Sequence, residues 1–224
     1  MKEKNMRYKF YREHKYISHR CNEFERLIAT TDFSKKKEFD IVEEEFEDLM
    51  NLLKRHAEYE NDSLHSLLKI KNSAVYKNIE KNHEGLEKQI IFLRELLNKI
   101  SNSISDEDKI EAGYQLYLHF RRFNGENLIH LHEEETIILP ELHRLYSDEE
   151  LKKVEAAFYA TMTTEELIEM IEELFPHMNP DDWAFFLSDI KDAVPEKFME
   201  VWPRVKFQMD EKQQEDILRK LNII

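Results

Sequence analysis

The sequence predicts an all-α protein, an up-down four-helix bundle followed by a C-terminal extension of short helices. Three observations lead there. The 224 residues include three glycines and five prolines, with no glycine before Gly85 and no proline before Pro140. Both residues break regular structure, so residues 1–147 are expected to run as long helices with few tight turns. Apolar residues in that stretch recur at spacings of three and four, the stripe of a helix with one buried face. A 41% hydrophobic share with 11% aromatics is too apolar for a fully disordered chain.

Each helix can be drawn in turn. Helix one, about residues 3–29, carries Phe10, His14, Ile17, Cys21, Phe24 and Ile28 on one face. Thr30 to Ser34 then offers a turn, with Ser34 as N-cap. Helix two, about 35–71, runs Phe39, Val42, Phe46, Leu49, Leu53, His56, Glu60, Leu64 and Leu67. Helix three, about 73–100, runs Ile79, His83, Leu86, Ile90, Leu93, Leu97 and Ile100. Ser105 and Asp108 are placed as N-cap and N3 partner of helix four, about 106–145. That helix presents Leu116, Phe120, Phe123, Asn127, His130, Glu134 and Ile138, and Pro140 bends or ends it. A fifth helix follows a capping box at Ser147 and Glu150, and another opens at Thr163 and Glu166. Asn179-Pro180 starts a third short helix, and two more follow Pro195 and Asp210. Residues 1–160 are expected to form the bundle with its fifth helix, and 161–224 the extension. The extension has its own apolar set: Leu167, Ile171, Leu174, Trp183, Phe186, Leu187, Phe198, Trp202, Ile217 and Leu221. It either packs as a helical subdomain or provides a surface for a homodimer or protein partner.

Charge and composition exclude several functions. A net charge of −14 does not suit binding to nucleic acid or an anionic membrane, which needs clustered Lys and Arg. No run approaches the roughly 18 apolar residues of a membrane span. The N-terminus lacks the apolar run of a signal peptide, and the single cysteine, Cys21, fits a reducing compartment, so the expected location is cytoplasmic. Three isolated glycines leave no phosphate-binding loop.

Ten histidines are many for so acidic a chain. His14, His56, His83 and His130 each fall within the apolar stripe of a different long helix. Glu60, Glu87 and Glu134 follow three of them at four residues' distance. Four residues advance about 400° around a helix, so each pair projects from nearly one face. Antiparallel packing brings these faces together at the bundle axis. Buried glutamates without a cation cost several kcal/mol each (roughly). A pair of metal ions removes that cost, and mixed imidazole and carboxylate donors suit iron or manganese. His19, His65, His119, His132, His143 and His177 read as surface or incidental histidines. A ferritin-like site needs Glu-x-x-His on two helices, and only Glu80-Lys81-Asn82-His83 fits that pattern.

At His56-Ala57-Glu58-Tyr59-Glu60 and HLHEEETIILPEL the sequence resembles the hemerythrin-like, or HHE cation-binding, family. The spacing and the TDFS segment are similar to the hemerythrin-like domain of the iron-sensing F-box protein, although no F-box is present here. The resemblance covers roughly residues 5–160. It implies a di-iron centre that can take an oxo-bridged form, with iron preferred over manganese. Glu60 and Glu134 bridge the ions in this reading, and His14, His56, His83 and His130 are terminal ligands. Glu87 is a further ligand or leaves a position open. The carriers of oxygen in this family use five histidines, with a His-x-x-x-His pair on the third helix, where this chain has His83 and Glu87. Their helix-four carboxylate sits five residues after its histidine, at Glu135 here; helical geometry prefers Glu134. The expected role is to bind or respond to dioxygen, iron or a related small oxidant. Two alternatives stand beside it: a di-iron oxidase, peroxidase or nitric-oxide-handling enzyme on the same scaffold, and a metal-free helical interaction module.

Overall fold

The computed structural model describes residues 7–223, apart from the side chains of Asn78 and Glu80. Among the described residues the chain is helical with no strand. No helix among them is long and apolar enough to cross a membrane. Two compact units divide the chain: Ile17–Leu142, and Met1–Tyr16 together with His143–Ile224.

In the Ile17–Leu142 unit, one hydrophobic core draws on four long helices: α1 (His14–Thr30), α2 (Lys36–Glu60), α4 (Tyr76–Asn102) and α5 (Asp106–Glu133). A π turn at Asn61–His65 joins α2 to the short α3 (Ser66–Ile70). A second π turn, Glu134–Ile138, joins α5 to α6 (Leu139–Leu145). α4 packs along α5 and also meets α2. The stripes read from the sequence are the buried faces: Ile17, Cys21, Phe24 and Ile28 from α1, Phe39 to Leu53 from α2, and Leu116, Phe120 and Phe123 from α5. The Phe24 ring lies 4.7 Å from Phe120 and 5.8 Å from Phe46, so three helices share one aromatic cluster. Burying each such ring contributes about 1.5–3 kcal/mol.

The helix ends follow local chemistry. Ser105 caps α5 by accepting the Asp108 amide at 3.0 Å, as its placement predicts. Ser34 does not cap α2. Asp32 instead accepts both the amide (3.1 Å) and hydroxyl (2.6 Å) of Ser34, and Lys35 stands at the cap position. Pro140 has no amide hydrogen to donate, and the helix widens into its π turn just before it. The first π turn has a different consequence. It adds a residue to the turn, so the buried stripe beyond Leu64 moves from the expected Leu67 to Leu68.

The second unit does not follow the expected boundary at residue 160. α7 (Asp148–Thr161) packs against α9 (Pro180–Ala193), with the Tyr159 and Phe186 rings 5.6 Å apart. α8 (Thr164–Leu174), α10 (Pro195–Val205) and α11 (Glu211–Lys220) complete it. Capping boxes at Ser147, Thr163, Asn179 and Asp210 open four of these helices. The expected apolar residues of the extension are buried, except that Trp202 is half-buried. The N-terminal segment belongs here and is not helical: α1 starts at His14, where a helix from residue 3 was expected, and residues 1–6 lie outside the described residues. Tyr11, at φ 68°, breaks the helix, a conformation that costs a non-glycine residue about 1 kcal/mol or more. The flanking anchors hold it. Asp189 accepts hydrogen bonds from the Tyr8 hydroxyl at 2.8 Å and from Arg12 Nη1 at 3.0 Å, all three groups buried. Burial pushes the Asp189 carboxyl upward, and Arg12 opposes that shift.

Two glycines on α5 make a paired test of this packing. A Cβ on Gly113 would overlap the Phe33 ring, whereas one on Gly125 meets nothing within 4 Å. Gly113→Ala is expected to destabilise the protein by about 1–3 kcal/mol. Gly125→Ala is expected to stabilise it by about 0.5–1 kcal/mol, the difference in helix propensity. Chemical denaturation of the two variants checks both signs.

Candidate metal centre

Both π turns of the Ile17–Leu142 unit adjoin a buried glutamate. Glu60 is the last residue of α2 and is 0% exposed; Glu134 opens the turn after α5 and is 1% exposed. Each lies four residues after a histidine of its own helix, and the helix presents both to the interior. His56 Nε2 stands 3.3 Å from Glu60 Oε1, and His130 Nε2 stands 3.1 Å from Glu134 Oε1. α4 supplies the group that links the two pairs. His83 Nε2 lies 3.9 Å from Glu60 Oε2, 3.8 Å from Glu134 Oε1 and 2.9 Å from His130 Nε2. One donor atom from each of Glu60, His83, His130 and Glu134 falls within 4.8 Å of all the others.

These distances suit a cation. Two donors that share an ion through bonds of roughly 2.0–2.2 Å stand about 3–4 Å apart. Burying carboxylates this deeply is costly unless a positive charge compensates them. The donor set is oxygen and imidazole nitrogen, which suits first-row metals such as iron and manganese over thiolate-preferring ions.

Of the residues predicted from sequence, the structure therefore brings His56, Glu60, His83, His130 and Glu134 together. His14 opens α1 and is buried, with its ring stacked on Tyr11 at 4.8 Å; it belongs to the unit that contains Met1–Tyr16. Glu87 is exposed on α4 and takes no part in the cluster. It sits about 40° further round the helix than His83, which is itself at the edge of the buried face, and that offset turns it to solvent. Between the two helix-four candidates, Glu134 is buried and Glu135 exposed. The Glu80 side chain of the ferritin-like pattern lies outside the described residues.

One buried histidine beside the cluster is not read from the sequence. His65, taken for an incidental histidine, is 1% exposed, and its Nε2 lies 3.7 Å from Glu134 Oε1. Its ring stands 5.3 Å from that of His83, and Nδ1 meets Asn61 Oδ1 at 3.3 Å. Burial pushes its pKa down to about 4, against the pull of Glu134. Five residues separate it from Glu60, which in a regular α-helix places it about 140° away. The π turn closes on the fifth residue instead and returns His65 to the interior. Nothing in the sequence signals this, since the apolar stripe continues from Leu64 to Leu67. The other histidines stay outside the cluster: His19 and His132 are exposed, His119 packs on Phe92, His143 bonds the Tyr8 carbonyl, and His177 lies beside Tyr16.

Cys21 and Asn127 lie on the same helical stripes, with Asn127 Nδ2 donating to Cys21 Sγ at 3.8 Å. Burial pushes the thiol up to about 12, so it stays protonated at neutral pH and is no thiolate ligand.

No family model matches the chain, and no solved structure matches it. The chain is similar to F-box/LRR-repeat protein 5 of Danio rerio, with 24% identity over 132 residues. That stretch spans 58% of this chain and 19% of the relative.

The Cys21 environment yields a direct test. At pH 8 a thiol with a pKa of about 12 is ionised in roughly one molecule in 10,000, and alkylation needs the thiolate. The folded protein is expected to resist iodoacetamide at pH 8, and denaturant to expose one reactive thiol. Rapid labelling of the folded chain, read by mass spectrometry, would contradict this burial.

Proposed function

We propose that this chain is a hemerythrin-like protein whose four long helices form an up-down bundle around a di-iron centre. It binds or responds to dioxygen, iron or a related small oxidant. The observation that carries the reading is the pair of fully buried glutamates, Glu60 and Glu134, with imidazole nitrogens from three helices converging on them. The similarity to a stretch of F-box/LRR-repeat protein 5 supports it, because the spacing and the TDFS segment of the sequence also resemble an F-box protein.

In this reading Glu60 and Glu134 would hold the two ions and offset part of their charge. His56, His83 and His130 would be the imidazole ligands. Iron bound here supplies a one-electron redox couple at each ion and a position for a small oxidant. The chain's own residues fix its surroundings. Leu64, Leu131 and Ile138, near the glutamates in the chain, are buried as well.

The chain purified from iron-supplied cells is expected to carry about two iron ions per molecule. Saturating iron is expected to raise its melting temperature by roughly 5–10 °C, because an ion that binds only the folded state stabilises it by mass action. Glu60→Gln and Glu134→Gln are expected to lose iron, while Glu135→Gln and His132→Ala keep it. Elemental analysis and thermal melts check these outcomes. A metal-free chain whose melting ignores iron would leave the helical interaction module as the better reading.

A further inference from the structure

We propose that His65 is itself a metal ligand of this centre, binding through Nε2 on the side of Glu134. The inference rests on the metal-site reading above and adds a residue that neither the apolar stripe nor the family resemblance assigns.

Three observations carry it. First, His65 is 1% exposed and its Nε2 is buried without a hydrogen-bond partner. A polar nitrogen taken from water and left unspent is costly, and native interiors rarely keep one without a purpose. Second, its other nitrogen is engaged: Nδ1–H donates to Asn61 Oδ1 at 3.3 Å. That bond fixes the tautomer in which Nε2 carries a bare lone pair, the arrangement by which proteins orient a metal-binding imidazole. Third, Nε2 lies 3.7 Å from Glu134 Oε1. Two electron-rich atoms held face to face in a buried site repel each other, and a cation between them turns the repulsion into two bonds. The separation falls in the range of about 3–4 Å expected for two donors on one ion.

The backbone points the same way. His65 reaches the interior only because α2 widens into a π turn at Asn61–His65, next to Glu60. Such turns lose regular hydrogen-bond geometry and recur at functional sites. With Glu87 turned to solvent, α4 offers the single donor His83, and His65 supplies an imidazole in place of that carboxylate. The donor set becomes His56, His65, His83 and His130 with Glu60 and Glu134. Exchanging an anionic donor for a neutral one lowers the negative charge at the site and favours the ferrous over the ferric state.

The test uses the full chain loaded anaerobically, with Co(II) as a paramagnetic probe and Fe(II) for affinity. In Co(II)-loaded protein labelled with 15N-histidine, the wild type is expected to show a contact-shifted ring N–H from His65 beside those of His56, His83 and His130. That measurement needs no variant, so a misfolded mutant cannot obscure it. His65→Gln, with its fold checked by circular dichroism, is expected to lose that signal and to bind Fe(II) at least about 10-fold more weakly at one of the two positions. His132→Ala is expected to match the wild type. A loaded wild-type chain without a contact-shifted His65 signal, or a folded His65→Gln variant with unchanged affinity and spectrum, would overturn the assignment and leave the metal centre standing. A wild-type chain that takes up neither ion would overturn the centre itself, and this assignment with it.

Discussion

The burial of two carboxylates sets the terms for the rest of the Ile17–Leu142 unit. Glu60 and Glu134 are 0% and 1% exposed, and each stands within 3.3 Å of an imidazole nitrogen on its own helix. Neutral imidazoles satisfy part of the need of a buried carboxylate, but a full negative charge away from water calls for a positive one nearby. The proposed iron ions supply that charge. The same reasoning explains why the cluster contains three histidines and not three more apolar side chains, which the surrounding stripes could have accommodated.

Holding those groups in register requires long, uninterrupted helices, and the composition provides them. Glycine and proline are nearly absent before residue 140, so α2, α4 and α5 each run 25 to 28 residues without a break. Where the helices do depart from regular geometry, they depart at the site: both π turns adjoin a glutamate of the cluster. Distant packing serves the same end. Gly113 lets the Phe33 ring lie against α5, and the Phe24, Phe46 and Phe120 rings tie three helices together. The second unit is organised around a different buried charge, Asp189, which is paired with Arg12 and Tyr8.

Much of this was legible in the sequence because a helix repeats. Once Phe39, Val42, Phe46 and Leu49 set the face of α2, helical arithmetic carried it to His56 and Glu60 without further information. The same arithmetic chose Glu134 over Glu135. It failed where the repeat itself changes. The π turn after Glu60 moved the stripe from Leu67 to Leu68 and brought in His65, and no residue type in Asn61-Asp62-Ser63-Leu64-His65 marks such a turn. It failed also where a side chain sits at the margin of a face. Glu87 follows His83 at the same spacing as the other two pairs, yet a rotation of about 40° at the edge of the buried arc separates a donor from a solvated carboxylate. Long-range partners were invisible as well. Tyr8 and Arg12 look like the start of an amphipathic helix, and only Asp189, 177 residues beyond Arg12, shows why that segment is not helical.

Anomalous scattering at the iron K edge, from crystals of the chain purified with iron, tests the central claim most directly. The proposed centre places the anomalous density between Glu60 and Glu134, bounded by His56, His83 and His130. Density confined to exposed carboxylates, or none at all in protein whose crystals were grown from iron-saturated solution, would contradict it.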